Sequence, residues 1–434
     1  MARCALTKRI LSGGWPYCVL ALLCAFLHAC NVRSPYPHAD LAPLSEQPSF
    51  AVLTTNYVST AIALLNTEGE LITEAWVDSG TTPPGITTTL GGDVVLPSTS
   101  PSDGTLTLID RLGVDVITRI SVPSGEVLQQ VHAQSNGTAE TGFRANPQDW
   151  LVIDADSAWV SRHEPNRNPR ATGLDRGNDV LFIDLKSGLA AGRADFVSLE
   201  QSVQGTAIFA RPTQLQRLQD TIAVGMSRLS LDFRTAATGA LGFVDVNTLG
   251  QTFLEFPGLV NCGMVAKVPN SDTELWVLCA GDTFGGAEER RLRSGLVRVS
   301  AERPGIARET YRMRATDHGN LLPPSTGLIP LDTERVIVIA SGDASHEQED
   351  QVLLIDTGNN TVTTVFEATE SFVLGQGCYL EAARVLLIPD ASAGARRWVV
   401  TSGHSLEPLP TIDVSPLRRL PAREIRAIQT REES

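Results

Sequence analysis

The chain has 434 residues, 42% of them hydrophobic, and a formal net charge of -14. That apolar content excludes wholesale disorder, and the length admits two or three average domains or one large repeat domain. The acidic balance argues against nucleic acid or an anionic membrane surface as a partner. From the start of the chain, Arg3, Lys8 and Arg9 form a positive region without acids, followed by an apolar stretch over 17–27. This is the layout of a secretory signal over 1–29, too short in its apolar part to remain as a membrane span.

The signal ends in Leu27-His28-Ala29-Cys30. This resembles the bacterial lipobox, although His28 stands where that motif has a small residue. The resemblance implies that Cys30 takes a diacylglycerol and becomes the new N-terminus. It further implies an exported protein, lipid-anchored in the cell envelope. Asn31 after the anchor resembles the sorting pattern that favours the outer membrane over the inner. Residues 30–48 hold Pro35, Pro37, Pro43 and Pro48 and read as an extended tether. The domain is expected over 49–428, with a short tail at 429–434.

Within the domain one unit recurs. An apolar run ends in Asp, Asn or Ser and is followed by a glycine turn. Its end positions are Asn66, Asp110, Asp184, Asp245, Ser300 and Asp356. The apolar runs suit strands packed between neighbouring sheets, and the polar end residue suits a turn, because its side chain can accept backbone N–H groups. These aspartates are therefore read as turn formers rather than catalytic acids. A second strand precedes most copies, as in Ser157-Ala158-Trp159-Val160-Ser161 and Arg335-Val336-Ile337-Val338-Ile339. A seventh unit opens at Arg384 and continues through Trp398. The strand that completes the set is expected from either the segment after Ser49 or the C-terminal residues 420–426.

The clearest copy is Phe182-Ile183-Asp184-Leu185-Lys186-Ser187-Gly188. On such pieces the chain resembles the YVTN-type, WD-like repeat proteins of bacterial surfaces and periplasms. That resemblance implies an all-β fold, a β-propeller of seven blades, each a four-stranded antiparallel sheet. It marks architecture and not activity.

Cys262 and Cys279 flank a hairpin whose turn is Pro269-Asn270-Ser271-Asp272, which places them opposite one another. A disulfide between them is expected in an oxidising compartment, the alternative being two buried thiols. Cys378 is left as a free thiol. The loops at 161–179, 228–239, 281–294 and 341–350 are long and fall between second and third strands, hence on one face. The first is basic, with Arg162, His163, Arg167, Arg170 and Arg176 as a candidate binding loop for a carboxylate or an acidic glycan. The competing expectation pairs its arginines with Asp343, Glu347, Glu349 and Asp350. That acidic cluster also raises calcium, without the spacing of a known calcium loop.

No motif of a metallohydrolase, a serine hydrolase, a phosphate loop or a c-type haem site occurs. No catalytic residue and no cofactor are therefore assigned. The expected function is that of an envelope-tethered binding or scaffold lipoprotein recognising a protein or glycan by its long-loop face. The alternatives are a propeller enzyme, such as a lactonase-like hydrolase or a quinone-dependent dehydrogenase, and a structural part of an envelope assembly.

Overall fold

A computed structural model describes residues 41, 44, 46–111, 113–122, 124–134, 143–168, 170–171, 173–303, 306–319, 321–401 and 405–429, all within one structural unit. The signal, Cys30, most of the tether and residues 430–434 lie outside the described residues.

The strands form eight sheets, of which seven have four antiparallel strands. Blade 1 contains Phe50–Thr55, Thr60–Leu65 and Leu71–Asp78, and its innermost strand is Ala422–Ala427 from the C-terminus. Blade 2 comprises Val94–Val95, Thr105–Asp110, Val116–Ser121 and Val127–His132. Blade 3 comprises Pro147–Val152, Ser157–Pro165, Gly177–Asp184 and Leu189–Asp195. Blade 4 comprises Pro212–Leu218, Thr221–Met226, Gly239–Asp245 and Gln251–Phe256. Blade 5 comprises Met264–Lys267, Glu274–Ala280, Ser294–Arg303 and Ile306–Arg314. Blade 6 comprises Pro324–Pro330, Arg335–Ala340, Gln351–Asp356 and Thr361–Glu367. Blade 7 comprises Cys378–Leu380, Val385–Asp390, Gly394–Val400 and Leu406–Ile412. The eighth sheet has three short strands, Gln201–Val203, Thr206–Phe209 and Leu229–Ser230. It joins the segment after blade 3 to a loop of blade 4, so the count exceeds the seven repeat units by this one accessory sheet.

Side chains alternate across each strand, and the central strands are apolar on both faces. In Glu274–Ala280, Leu275 and Val277 pack toward blade 4, whereas Trp276 and Leu278 pack toward blade 6. Repeating this at each sheet generates seven hydrophobic cores, one between each consecutive pair of blades. The core of Phe50, Val52, Leu387 and Ile425 joins blade 7 to blade 1. With that contact the ring is closed, and the fold is a β-propeller.

Innermost strands belong to different sheets, so polar side chains link them. Asp149 of blade 3 accepts the N–H of Ser98 at 2.8 Å and of Leu215 in blade 4 at 2.7 Å. Gln214 of blade 4 accepts Val265 N–H of blade 5, and Gln376, just ahead of blade 7, accepts Leu328 N–H of blade 6, both at 3.0 Å. Glu424 of blade 1 accepts Leu96 N–H beside blade 2 at 2.8 Å. Burial pushes the Asp149 carboxyl up to about 6, against the hydrogen bonds from Ser98, Leu215 and Trp150.

The turn-forming side chains act as their chemistry requires. Asp184 accepts the N–H groups of Lys186 and Ser187, Asp245 those of Asn247 and Thr248, and Asp356 that of Asn359. Asp110 departs from the pattern. Blade 2 opens with a two-residue strand, and the run ending in Asp110 is its second strand, where the other copies form third strands. Asp110 is buried and accepts Gly91 N–H, and burial pushes its carboxyl up to about 6. Cys262 and Cys279 are joined by a disulfide, and Cys378 is a free thiol on the innermost strand of blade 7.

Candidate functional site at the mouth of the central channel

Antiparallel order puts every connection between second and third strands on one face. In blades 1, 2 and 7 these connections are the short turns 56–59, 111–115 and 391–393. In blades 3 to 6 they are the longer segments 166–176, 227–238, 281–293 and 341–350. Only one α-helix is formed among the described residues, α1 (Ala287–Leu292), within the blade 5 segment.

The long segments are held by buried arginines. Arg162 is fully buried, and two of its nitrogens pair with Asp179 at 2.7 Å. Its remaining donors reach the carbonyls of Ala133 and Leu174. Arg211, also fully buried, pairs with Glu164 at 2.6 Å and donates to the carbonyls of Leu229 and Ser230. Its guanidinium lies 4.2 Å from the Phe233 ring centroid, and His163 stacks on the same ring. Arg228 pairs with Glu255 and donates to the carbonyls of Thr238 and Leu199. Burial opposes ionisation of Glu164, but hydrogen bonds from His163 and Arg211 outweigh it and hold its carboxyl at about 2. Burial lowers the His163 imidazole below its ordinary value.

This corrects two expectations about the basic loop. Arg162 and His163 are consumed in its internal structure and are closed to a ligand. The acids at 343 and 350 are engaged in the loops of blades 5 to 7 rather than with the basic loop. Asp343 accepts the N–H of Ala287 at the start of α1, and Asp350 accepts the N–H groups of Gly342, Phe372, Val373 and Leu374. Arg167, Arg170 and Arg176 remain exposed. Arg176 lines a small recess of about 170 Å³ with Asn166, Asn178 and Arg193.

At the centre of the long-loop face the channel opens into a cavity of about 480 Å³. Its wall takes Arg111 from blade 2, Gln148 from blade 3, Gln214 from blade 4, Gln376 ahead of blade 7, and Arg423, Glu424 and Arg426 from the closing strand of blade 1. Arg111 pairs with Asp93 at 2.5 Å and reaches Gln148. Arg426 donates to the carbonyls of Pro97 and Ile425. Arg423 donates to the carbonyl of Phe372 at 3.3 Å and lies 5.4 Å from the Tyr57 ring centroid. Neither Arg423 nor Arg426 forms an ion pair among the described residues. Glu424 is the one acid among the lining residues, and burial raises its carboxyl above the ordinary range.

The wall residues of the closing strand escaped the sequence reading. One signal was present: Arg423, Glu424 and Arg426 bring three charges into a strand that also pairs with the core of blade 1. The opposite face carries a wider recess of about 710 Å³ lined by Asp103, Asp154, Asp220 and Asp272 with Arg217 and Lys267. There Lys267 already pairs with Asp272.

No protein-family model matches the chain, and no curated protein matches it. Solved structures do. A periplasmic gluconolactonase of Pseudomonas aeruginosa aligns with a TM-score of 0.53 at 12% identity, over 88% of this chain and 99% of that one. A hypothetical selenium-binding protein of Sulfolobus tokodaii aligns with a TM-score of 0.54 at 10% identity, over 88% and 94%. A protein of Lactobacillus plantarum aligns with a TM-score of 0.55 at 10% identity, over 88% and 99%. At such identities the likeness establishes the fold alone. Among the described residues no helix is long and apolar enough to cross a membrane.

Proposed function

We propose that this chain is an exported binding propeller, tethered to the bacterial envelope through a lipid on Cys30, that recognises a glycan or protein of the envelope on its long-loop face. The observation that carries the reading is the mouth of the channel. The guanidinium groups of Arg423 and Arg426, without an acid partner among the described residues, and of Arg111, paired with Asp93, line a cavity with one acid in its wall, on a protein of net charge -14. Field lines from such a cluster attract anions that the rest of the surface repels. The blade 3 and 4 loops on this face are held by buried ion pairs, which lowers the ordering cost of binding there. No histidine or cysteine stands among the lining residues, so the wall offers no such base or thiol nucleophile.

Blocking one face at a time tests the reading. A bulky maleimide is attached to Val58→Cys at the long-loop face or to Asp154→Cys at the opposite face, both in a Cys378→Ser background. Retention of envelope components is then measured. Loss with the first label only is expected; equal retention with both overturns the reading. For the anchor, Cys30→Ala is expected to abolish incorporation of a labelled fatty acid.

A hydrolase reading is favoured by one observation, a buried carboxyl in the cavity wall, that of Glu424, which burial raises above its ordinary range. A proton donor of that kind suits ring opening of a lactone, the activity named for the Pseudomonas structure. Under this reading the full chain opens aldonolactones, and Glu424→Gln abolishes the activity. Under the binding reading the two proteins are indistinguishable from buffer.

A further inference from the structure

We infer that Tyr57, Phe372 and Arg423 form a subsite for a sugar ring bearing a carboxylate. The inference rests on the binding reading above and names the ligand class for the same cavity. All three residues line the channel mouth. Tyr57 is 61% and Phe372 57% exposed, unusual for large aromatic side chains at a cavity edge. Their exposure is built into the backbone. Tyr57 has φ 65° and Phe372 φ 60°, the left-handed region that bulky residues rarely enter. Each is held there by a specific contact. The Tyr57 N–H donates to Thr55 Oγ1, whose hydroxyl donates in turn to the carbonyl of Gly92. Only glycine fits at 92, because a Cβ would stand 2.2 Å from the Tyr57 carbonyl oxygen. The Phe372 N–H donates to Asp350, a fully buried carboxylate that also accepts the next two N–H groups. Backbone strain retained at a rim, with buried groups enforcing it, is characteristic of recognition sites.

Beside the Tyr57 ring, and bonded to the Phe372 carbonyl, sits a guanidinium with unused capacity. Arg423 spends one nitrogen on the Phe372 carbonyl, and its Nε is buried without a partner. No described acid neutralises it. An aromatic face packs well against the C–H face of a sugar, and a guanidinium binds a carboxylate with directed, charge-assisted hydrogen bonds. A neutral sugar would leave the Arg423 charge uncompensated. An acidic peptide would use the charge and not the flat rings.

The test measures binding of trigalacturonic acid and of its fully methyl-esterified form to the full chain by calorimetry. The two probes differ only at the carboxylate. The native protein is expected to prefer the acid at least about tenfold. Arg423→Gln is expected to erase that preference while keeping the melting temperature, and Arg423→Lys to restore part of it. Tyr57→Ala and Phe372→Ala are expected to weaken acid and ester alike, by about three- to tenfold each. Absence of acid preference in the native chain, or its survival in Arg423→Gln, overturns the subsite. If the Val58 label still blocks envelope components in that case, the binding reading stands and its ligand is a protein or a neutral glycan. If that label has no effect, the reading itself fails.

Discussion

Blades 3 and 4 and blades 7 and 1 treat their charges in opposite ways. In the first pair the loops are long, an accessory sheet is added, and Arg162, Arg211 and Arg228 are buried and each paired with an acid. In the second pair the loops are minimal, yet Arg423 and Arg426 reach the channel without acid partners. Blades 3 and 4 thus use three of their arginines to hold themselves together. Blades 7 and 1 pair Arg396 with Asp390 and Arg418 with Asp78, but leave Arg423 and Arg426 without an acid. Charge content along a sequence marks neither role; burial and pairing separate them.

The largest effect tests the side of blades 7 and 1. Removing residues 422–434 deletes the innermost strand of blade 1 and Ile425 from its core. The exposed edge of Phe50–Thr55 then invites aggregation. Loss of a cooperative melting transition is expected by calorimetry, and a truncated chain that melts like the native one would refute ring closure as a source of stability.

Next come the buried arginines. Arg211→Ala leaves Glu164 half-buried without its partner and should cost about 3–5 kcal/mol of stability in chemical denaturation. Arg423→Gln should cost under about 1 kcal/mol, because no ion pair is lost. Equal costs at the two positions would dissolve the contrast.

A third prediction concerns pH and the belt that joins the innermost strands. Asp149 has its carboxyl raised to about 6 in the folded protein from an ordinary 3.8. Between those values the folded chain keeps a proton that the unfolded chain has released. Stability contributed at this site is therefore present at low pH and falls as pH rises from about 4 to 6, by an amount on the order of 3 kcal/mol. Asp149→Asn should flatten that slope in urea titrations, and an unchanged slope would remove Asp149 as its source.

The smallest effect is expected at the exposed arginines of the basic loop. Replacing Arg167, Arg170 and Arg176 with glutamine should shift stability by less than about 0.5 kcal/mol each. The same change separates a surface insertion from a second contact region, since only the latter alters ligand affinity.

What could be read from the sequence follows the physics of each signal. Runs such as Val352-Leu353-Leu354-Ile355-Asp356 were legible because a strand buried on both faces must be continuously apolar. The cysteine pair was legible because a hairpin brings the ends of its two strands together, here within one residue of exact register. The accessory sheet was not, since Gln201-Ser202-Val203 is short and mostly polar, and its hairpin partner Thr206–Phe209 takes its other neighbour, Leu229–Ser230, from beyond the first two strands of blade 4. The basic loop misled for a related reason. Whether Arg162 meets solvent or Asp179 depends on how the loop folds back, and spacing carries no such information. Arg423 was concealed by position. Its strand becomes the channel wall only when the C-terminus reaches blade 1.

That last pairing has a temporal consequence. Phe50–Thr55 emerges early in synthesis, and its partner Ala422–Ala427 emerges roughly tens of seconds later at ordinary elongation rates. Over that interval the first blade is an unfinished template, and no amount of local folding downstream can complete it. Ring closure is therefore possible only once the chain is nearly whole. Once formed, the same join closes the ring by pairing strands from opposite ends of the domain.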